Sequence, residues 1–366
     1  MSTENILSTH PVPRYVAWLL SYPAYIWPRL KSMDRVEARR AIATLMATAS
    51  VLVLATATAI AQITEPAVST ATVASSVHPA GQIHATTIAG IPGLIAIPDR
   101  LVSSTPIVVM YHGFGPPAAP EALARAVPPI PGAISFYPWL PLFGPRMGAG
   151  GTDDLVQRQT DDYVGRLLFP VMAQAAAELP KVVEEMSAFY HLSKRRPVVI
   201  FGFSAGGAVA LLSLTESDLR PQGVIVMNAP LSISQAVDGY ERQLGHLYSW
   251  TKAARRAAIR YDVGAHAPQI ARLHSGTAFL FVQSDHDAGY SSAPASSVAV
   301  HLKAAASRYT PEPDIGAVIV PESDHYVLDS SRPKDLRGKA AEATARTLIS
   351  DWITRHALDR AGAGHR

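Results

Sequence analysis

The chain has 366 residues, 48% of them hydrophobic and 17% charged, enough apolar material for one large domain or two small ones with a sizeable core. Six of its 32 Lys/Arg residues and three of its 29 acids fall in residues 1–61, so the formal charge of +3 arises there and the remainder carries 26 of each sign. A neutral body excludes the basic footprint that nucleic acid requires, and the lack of cysteine excludes disulfides, thiol nucleophiles and Cys-ligated metals.

At the N-terminus, Arg39-Arg40 precede an uncharged run over residues 41–61, and Ala59-Ile60-Ala61 before Gln62 has the small-x-small form of a signal cleavage site. The run is long enough to span a bilayer. It is read as a cleaved signal peptide, with an uncleaved anchor and membrane association through residues 41–61 as the alternative. Either places the body outside the cytoplasm, secreted or membrane-anchored. A buried core helix is the third reading. Forty residues ahead of a signal are unusual, and a start at Met33 would leave an ordinary signal of about 29 residues. Otherwise residues 15–30, YVAWLLSYPAYIWPRL, form a cytoplasmic or membrane-surface segment. The pair Arg39-Arg40 lacks the fuller surroundings of a twin-arginine signal.

Residues 62–81 are rich in Ala, Ser, Thr and Pro and read as a linker. Regular structure is expected over 82–358. Two short strands flank Gly90 within 82–98, and buried strands follow at 106–115 and 132–141. Residues 154–192 read as helix, with Pro170 and Pro180 as kinks or breaks. A strand at 197–202 runs into a helix from Ala205, and another strand lies at 223–230. Residues 231–275 are mostly helical and polar. Then come a strand and loop at 277–289, a helix near 293–307, a strand and loop at 316–326, and a closing helix at 336–357. Short apolar strands alternating with helices predict an α/β domain with a mostly parallel central sheet covered on both faces, and no internal repeat is found.

The segment PVVIFGFSAGGAVALL, residues 197–212, sets one serine between glycines where a strand turns at once into a helix. Such a bend holds Ser204 out at a helix N-terminus, where backbone N–H groups and the helix dipole favour developing negative charge. The pentapeptide alone is a weak signal, because a helix-start serine also serves as a cap. A serine hydroxyl needs a general base, and the base needs an orienting carboxylate. VIVPESDHY places His325 after one apolar strand, and LFVQSDHDAGY places Asp285 and Asp287 after another. The order serine, aspartate, histidine is that of α/β-hydrolases. An oxyanion hole needs two backbone donors: Ala205 N–H after the serine, and Phe114 N–H in the loop YHGFG, residues 111–115.

With these motifs the chain resembles the α/β-hydrolase family over about residues 82–358. The resemblance rests on Tyr111-His112-Gly113-Phe114-Gly115, Gly202-Phe203-Ser204-Ala205-Gly206-Gly207, Asp287 and His325. It lies toward dienelactone-hydrolase-like and secreted esterase or lipase branches, cutinase-like enzymes included. Dienelactone hydrolases proper use a cysteine nucleophile, which is missing here. Many members read Gly-x-x-Asp at the acid loop. Here Ser284-Asp285-His286-Asp287 matches that spacing at Asp287, with Asp285 as the alternative. Some relatives take the acid from the previous strand, where this chain offers Asn228 and no carboxylate.

The resemblance implies a serine hydrolase cleaving small-molecule or lipid carboxylic esters through Ser204, His325 and Asp287. It implies no cofactor and a lid-like insertion at 231–275. Peptide or amide cleavage, acyl transfer to an alcohol, and a non-catalytic module held at a membrane are the rival readings. His112 reads as structural, and Asp324 as a support for the His325 loop. Residues 135–144, SFYPWLPLFG, put Tyr137 and Trp139 forward as substrate-binding residues, with plain core as the equal alternative. Lys252, Arg256 and Arg260 share a solvated helix face. Thr152-Asp153-Asp154 and Thr160-Asp161-Asp162 read as caps and surface. The His286 and His325 spacings fit no metal motif, so no metal site is expected.

Overall fold

Eight runs of β-branched and aromatic residues form one sheet in a computed structural model that describes residues 82–290, 292–309 and 313–359. The expected export segment, the Met33 start and the 62–81 linker lie outside the described residues. The strands are β1 (Ile83–Ile88), β2 (Ile91–Ala96), β3 (Ile107–Tyr111), β4 (Ile134–Pro138), β5 (Val198–Phe203), β6 (Gly223–Met227), β7 (Ala278–Ser284) and β8 (Ile315–Val320). Their order across the sheet is β1-β2-β4-β3-β5-β6-β7-β8. β1 pairs antiparallel with β2 and β2 with β4, and every other pair is parallel.

Register places the site. Tyr111 pairs with Gly202, Phe203 with Met227, Met227 with Val282, and Ser284 with Val320. The loops that follow β3, β5, β6, β7 and β8 therefore leave from one edge of the sheet. Ligand sites in open α/β sheets form at these carboxyl ends.

Both sheet faces are buried, so the central strands read as continuous apolar runs with neighbours pointing to opposite sides. One face, carrying Val109, Ile200, Val226 and Phe281, packs against helices α3 (Phe169–Phe189) and α4 (Ala205–Glu216). The other, carrying Met110, Phe201, Ile225 and Leu280, packs against α1 (Pro120–Ala126) and α9 (Leu336–Thr354). Helix α1 is absent from the sequence reading because its seven residues are too short for a periodic pattern.

The helical stretch expected at 154–192 is divided differently. Helix α2 (Gly151–Asp162) gives way to a π-helical turn, Tyr163–Leu168, and then to α3. Pro170 sits in the first turn of α3, where a missing N–H costs nothing. Pro180 lies inside α3 without breaking it, since Leu179, Val182 and Val183 around it are buried against the sheet.

The insertion between β6 and β7 carries α5 (Ile233–Leu244), α6 (Lys252–Arg260) and α7 (Ala267–Leu273). Ser232 and Thr251 cap the first two, accepting from Gln235 N at 3.1 Å and Ala254 N at 3.0 Å. A bridge between Ser232 and Asp262, with Val263 N donating to Leu231 O at 2.9 Å, closes its base. Helix α8 (Ser292–Ala306) follows β7. Lys252, Arg256 and Arg260 are exposed, and Arg260 pairs with Glu216. Among the described residues, no helix is long and apolar enough to cross a membrane.

Asp162 caps the turn after α2 as expected, but its surface placement is a correction. It is buried, because the insertion packs over it. Its carboxylate accepts from Gly165 N at 2.8 Å, from Thr251 Oγ1 at 2.7 Å and from the Tyr248 hydroxyl. Nearby, Tyr163 stacks on Tyr240 at 4.6 Å. Burial works to raise the Asp162 carboxyl, but these three donors and Arg166 outweigh it and hold it below the usual carboxylate range. Its folded value lies below its unfolded one, so its stabilisation is present above the unfolded value and is lost as pH falls through the folded one. Asp162→Asn is expected to lose stability less steeply than the wild type below about pH 4. Asp162→Ala should cost about 1–3 kcal/mol at neutral pH by stranding its donors. Urea unfolding across pH checks both, and coincident curves for wild type and Asp162→Asn would count against the assignment.

Candidate active site

The turn from β5 into α4 is built by what glycine leaves out. A Cβ on Gly202 would run into the Gly206 carbonyl, one on Gly206 would lie 2.5 Å from His112 O, and one on Gly207 would lie 2.5 Å from Ala229 Cβ. With those side chains absent, the start of α4 settles onto the ends of β3, β5 and β6. Ser204 takes φ +53° and ψ −123°, a conformation rare outside glycine, and its N–H donates to Met227 O at 2.9 Å.

Ser204, His325 and Asp287 come together at the strand ends. His325 Nδ1–H donates to Asp287 Oδ2 at 2.9 Å, leaving Nε2 to accept from Ser204 Oγ–H at 3.1 Å. The Asp287 side chain is 0% exposed and that of His325 13%. Every oxygen of Asp287 is occupied: Oδ1 accepts from Gly289 N at 2.7 Å and Tyr290 N at 2.9 Å, and Oδ2 also accepts from Gln283 Nε2 at 2.9 Å. The rings of Phe203, Tyr290 and Tyr326 surround the imidazole at 5.1 to 5.5 Å.

Asp285, the alternative acid, faces elsewhere. It accepts from Glu322 N and Ser323 N, each at 2.9 Å, and approaches His286 Nδ1 at 3.2 Å. Burial pushes its carboxyl up, but the two N–H groups and His286 outweigh that and hold it below the usual range. Asp285 thus ties the loop after β7 to the loop that carries His325. Asp324 accepts from Tyr326 N at 2.9 Å and pairs with Arg332, supporting the same loop.

The glycine loop lies directly on Ser204, since a Cβ on Gly113 would stand 3.0 Å from Ser204 Cβ. Among the described residues, the N–H groups of Phe114 and Ala205 donate to no other backbone carbonyl. His112 staples this loop in place: Nδ1–H donates to Gly113 O at 2.8 Å, and Nε2 accepts from Leu140 N at 3.2 Å. Burial takes His112 down to about 4, against the opposing pull of the Gly113 carbonyl, so the ring is neutral and structural.

The proposed pocket residues divide. Trp139 is half-buried beside the loop, its ring edge-on to His112 at 5.6 Å. Phe114 stacks on Phe143 at 5.0 Å. Tyr137 is a correction: it is 0% exposed, lies in the core cluster on the face of α1 and α9, and donates its hydroxyl to Val127 O at 2.9 Å. Both sheet faces are buried, so an aromatic run there points as readily into core as toward a cleft.

Asn228 is a site residue that sequence reasoning passed over. It is fully buried at the end of β6 with φ +49°. Nδ2 donates to Ser284 Oγ at 2.9 Å and His325 O at 3.0 Å, and Oδ1 accepts from Ser284 N at 2.8 Å. It moors the histidine loop by its backbone. Asn228, Gln283 and Ser284 share one signal, a polar residue closing an apolar strand. No cluster of three or more His, Asp or Glu side chains able to hold a metal ion occurs among the described residues.

No family model matches the chain, and no curated protein matches it in sequence. Solved structures do match in fold. TT1662 from Thermus thermophilus is 16% identical with a TM-score of 0.52, over 74% of this chain and 98% of that one. An acylaminoacyl peptidase from Pyrococcus horikoshii is 14% identical with a TM-score of 0.50 over 76% of this chain, which spans only 42% of the peptidase's length. With the sheet order above, this protein has the α/β-hydrolase fold.

Gly206→Ala would drive a methyl group into the Tyr111 and His112 carbonyls and is expected to destabilise by about 1–3 kcal/mol. Gly148→Ala, with nothing within 4 Å of the new Cβ, should leave the unfolding midpoint in place. Equal midpoints for the two variants would contradict the close packing of the turn.

Proposed function

We propose that this protein is a serine hydrolase that cleaves carboxylic esters through an acyl-enzyme. The observation that carries the reading is the continuous hydrogen-bonded chain from Asp287 through His325 to Ser204, at 2.9 and 3.1 Å. It ends on a hydroxyl held at a strand-to-helix turn. Ser204 Oγ attacks the acyl carbon and gives its proton to His325 Nε2. Asp287 holds the imidazole and balances its positive form. Ala205 N–H and Phe114 N–H receive the oxyanion, each worth about 2.7–4 kcal/mol in systems of this kind. The alcohol leaves with the proton from His325. Water then gives a proton to His325 as it attacks the acyl-enzyme; the bond to Ser204 Oγ breaks, Oγ takes that proton back from His325, and the acid is released. These steps use side chains, backbone N–H groups and water.

Phe114, Phe143 and Trp139 beside the glycine loop favour an apolar acyl group in a small-molecule or lipid ester. The run at 41–61 supports a substrate outside the cytoplasm. The test is fluorophosphonate labelling together with hydrolysis of p-nitrophenyl esters of two to sixteen acyl carbons. Ser204→Ala is expected to lose labelling and to lower kcat on the order of a million-fold, and Asp287→Asn about ten-thousand-fold. Turnover of amides alone would replace the ester reading with a peptidase, and ester formation from an added alcohol would replace it with acyl transfer. A wild type that neither labels nor turns over would be a binding module.

A further inference from the structure

The insertion meets the catalytic acid at one point. Helix α5 carries Gly239 and Arg242, three residues apart and so on one face. A Cβ on Gly239 would stand 2.5 Å from the Gly289 carbonyl oxygen and 3.4 Å from Tyr290 Cε1, so the helix backbone rests on the acid loop. Arg242 donates from Nε to Ala288 O at 3.3 Å and from its terminal nitrogen to Gly289 O at 2.7 Å.

Those two carbonyls belong to particular peptide groups. The peptide that bears Ala288 O also bears the N–H of Gly289, and the one that bears Gly289 O also bears the N–H of Tyr290. These are the N–H groups that hold Asp287 Oδ1. A peptide group is rigid and planar, so gripping its carbonyl fixes the direction of its N–H. A cation on the carbonyl also polarises the group and strengthens the N–H as a donor. Tyr290 in turn stands edge-on to His325 at 5.4 Å.

We propose that Gly239 and Arg242 are positioning residues for Asp287 and His325, so that helix α5 of the insertion sets the orientation of the acid. Its catalytic consequence rests on the hydrolase reading above, while its geometric content does not. Arg242→Met removes the two donors and keeps much of the stem. Gly239→Ala installs the better helix former and pushes the helix off the acid loop. On an unconstrained helix face it would leave turnover unchanged.

In the full chain, both variants are expected to lower kcat for a p-nitrophenyl ester by about tenfold to a hundredfold, with KM little changed. Arg242→Lys should recover part of the loss, and Arg256→Ala on the exposed face of α6 should match the wild type. The downfield proton resonance of His325 Nδ1–H, assigned by its loss in Asp287→Asn, is expected to shift or broaden in Arg242→Met and Gly239→Ala. An unmoved resonance with wild-type kcat in both variants would overturn the proposal. A wild type without Ser204-dependent labelling would refute the hydrolase reading alone, because the resonance still decides whether α5 braces the acid.

Discussion

Helix α4 begins in van der Waals contact with the ends of β3, β5 and β6, and the rest of the site depends on that contact. It exists because residues 202, 206 and 207 have no side chains to hold the backbones apart. Neither end of the turn is free to relax. Phe203 is locked into the sheet opposite Met227, and Ala205 through Leu214 are buried in the core. Ser204 is therefore held in a backbone conformation that costs on the order of 1–3 kcal/mol, offset by the packing on either side. Gly113 extends the same logic to the next strand, letting the loop after β3 rest on the serine.

The turn fixes one member of the hydrogen-bonded chain, and the other two are fixed by polar groups at strand ends. The loop bearing His325 is held from two sides: Asn228 takes its backbone carbonyls from β6, and Asp285 takes its N–H groups from the loop after β7. Asp285 and Asp287 thus divide the work two residues apart. One secures the backbone that carries the imidazole, and the other meets the ring itself. Each such bond adds only about 0.5–3 kcal/mol to stability. Their larger effect is angular, because both ring nitrogens of His325 must align at once with partners on different loops.

These dependencies explain what could be read from the sequence. Ser204 and His325 were legible because each stands where an apolar strand meets a chemical side chain, a pattern confined to a few neighbouring residues. Asp287 was legible only through the spacing of its loop, since Asp285 sits on the same loop and the path of the chain decides which reaches the ring. Tyr137 failed for a related reason. Phe136 and Tyr137 point to opposite faces of a sheet buried on both sides, and composition cannot say which face adjoins the cleft. Asp162 looked like a surface cap because its partners, Tyr248 and Thr251, come from a segment more than eighty residues away. Asn228 was weighed only as a missing carboxylate, whereas its amide supplies the donors and acceptor that tie the end of β7 to the His325 loop.

The insertion follows from the same geometry. It leaves the sheet after β6 and returns at β7, so it begins just beyond Asn228 and ends just before the strand that delivers Asp287. Three sets of contacts tie it down: the closed base at Leu231 and Val263, the buried bonds to Asp162, and the rest of α5 on the acid loop. A hinge motion about the base would have to break the buried bonds at Asp162 and also lift Arg242 from the two carbonyls behind the acid. The insertion and the loop that carries Asp287 are therefore joined by direct contacts.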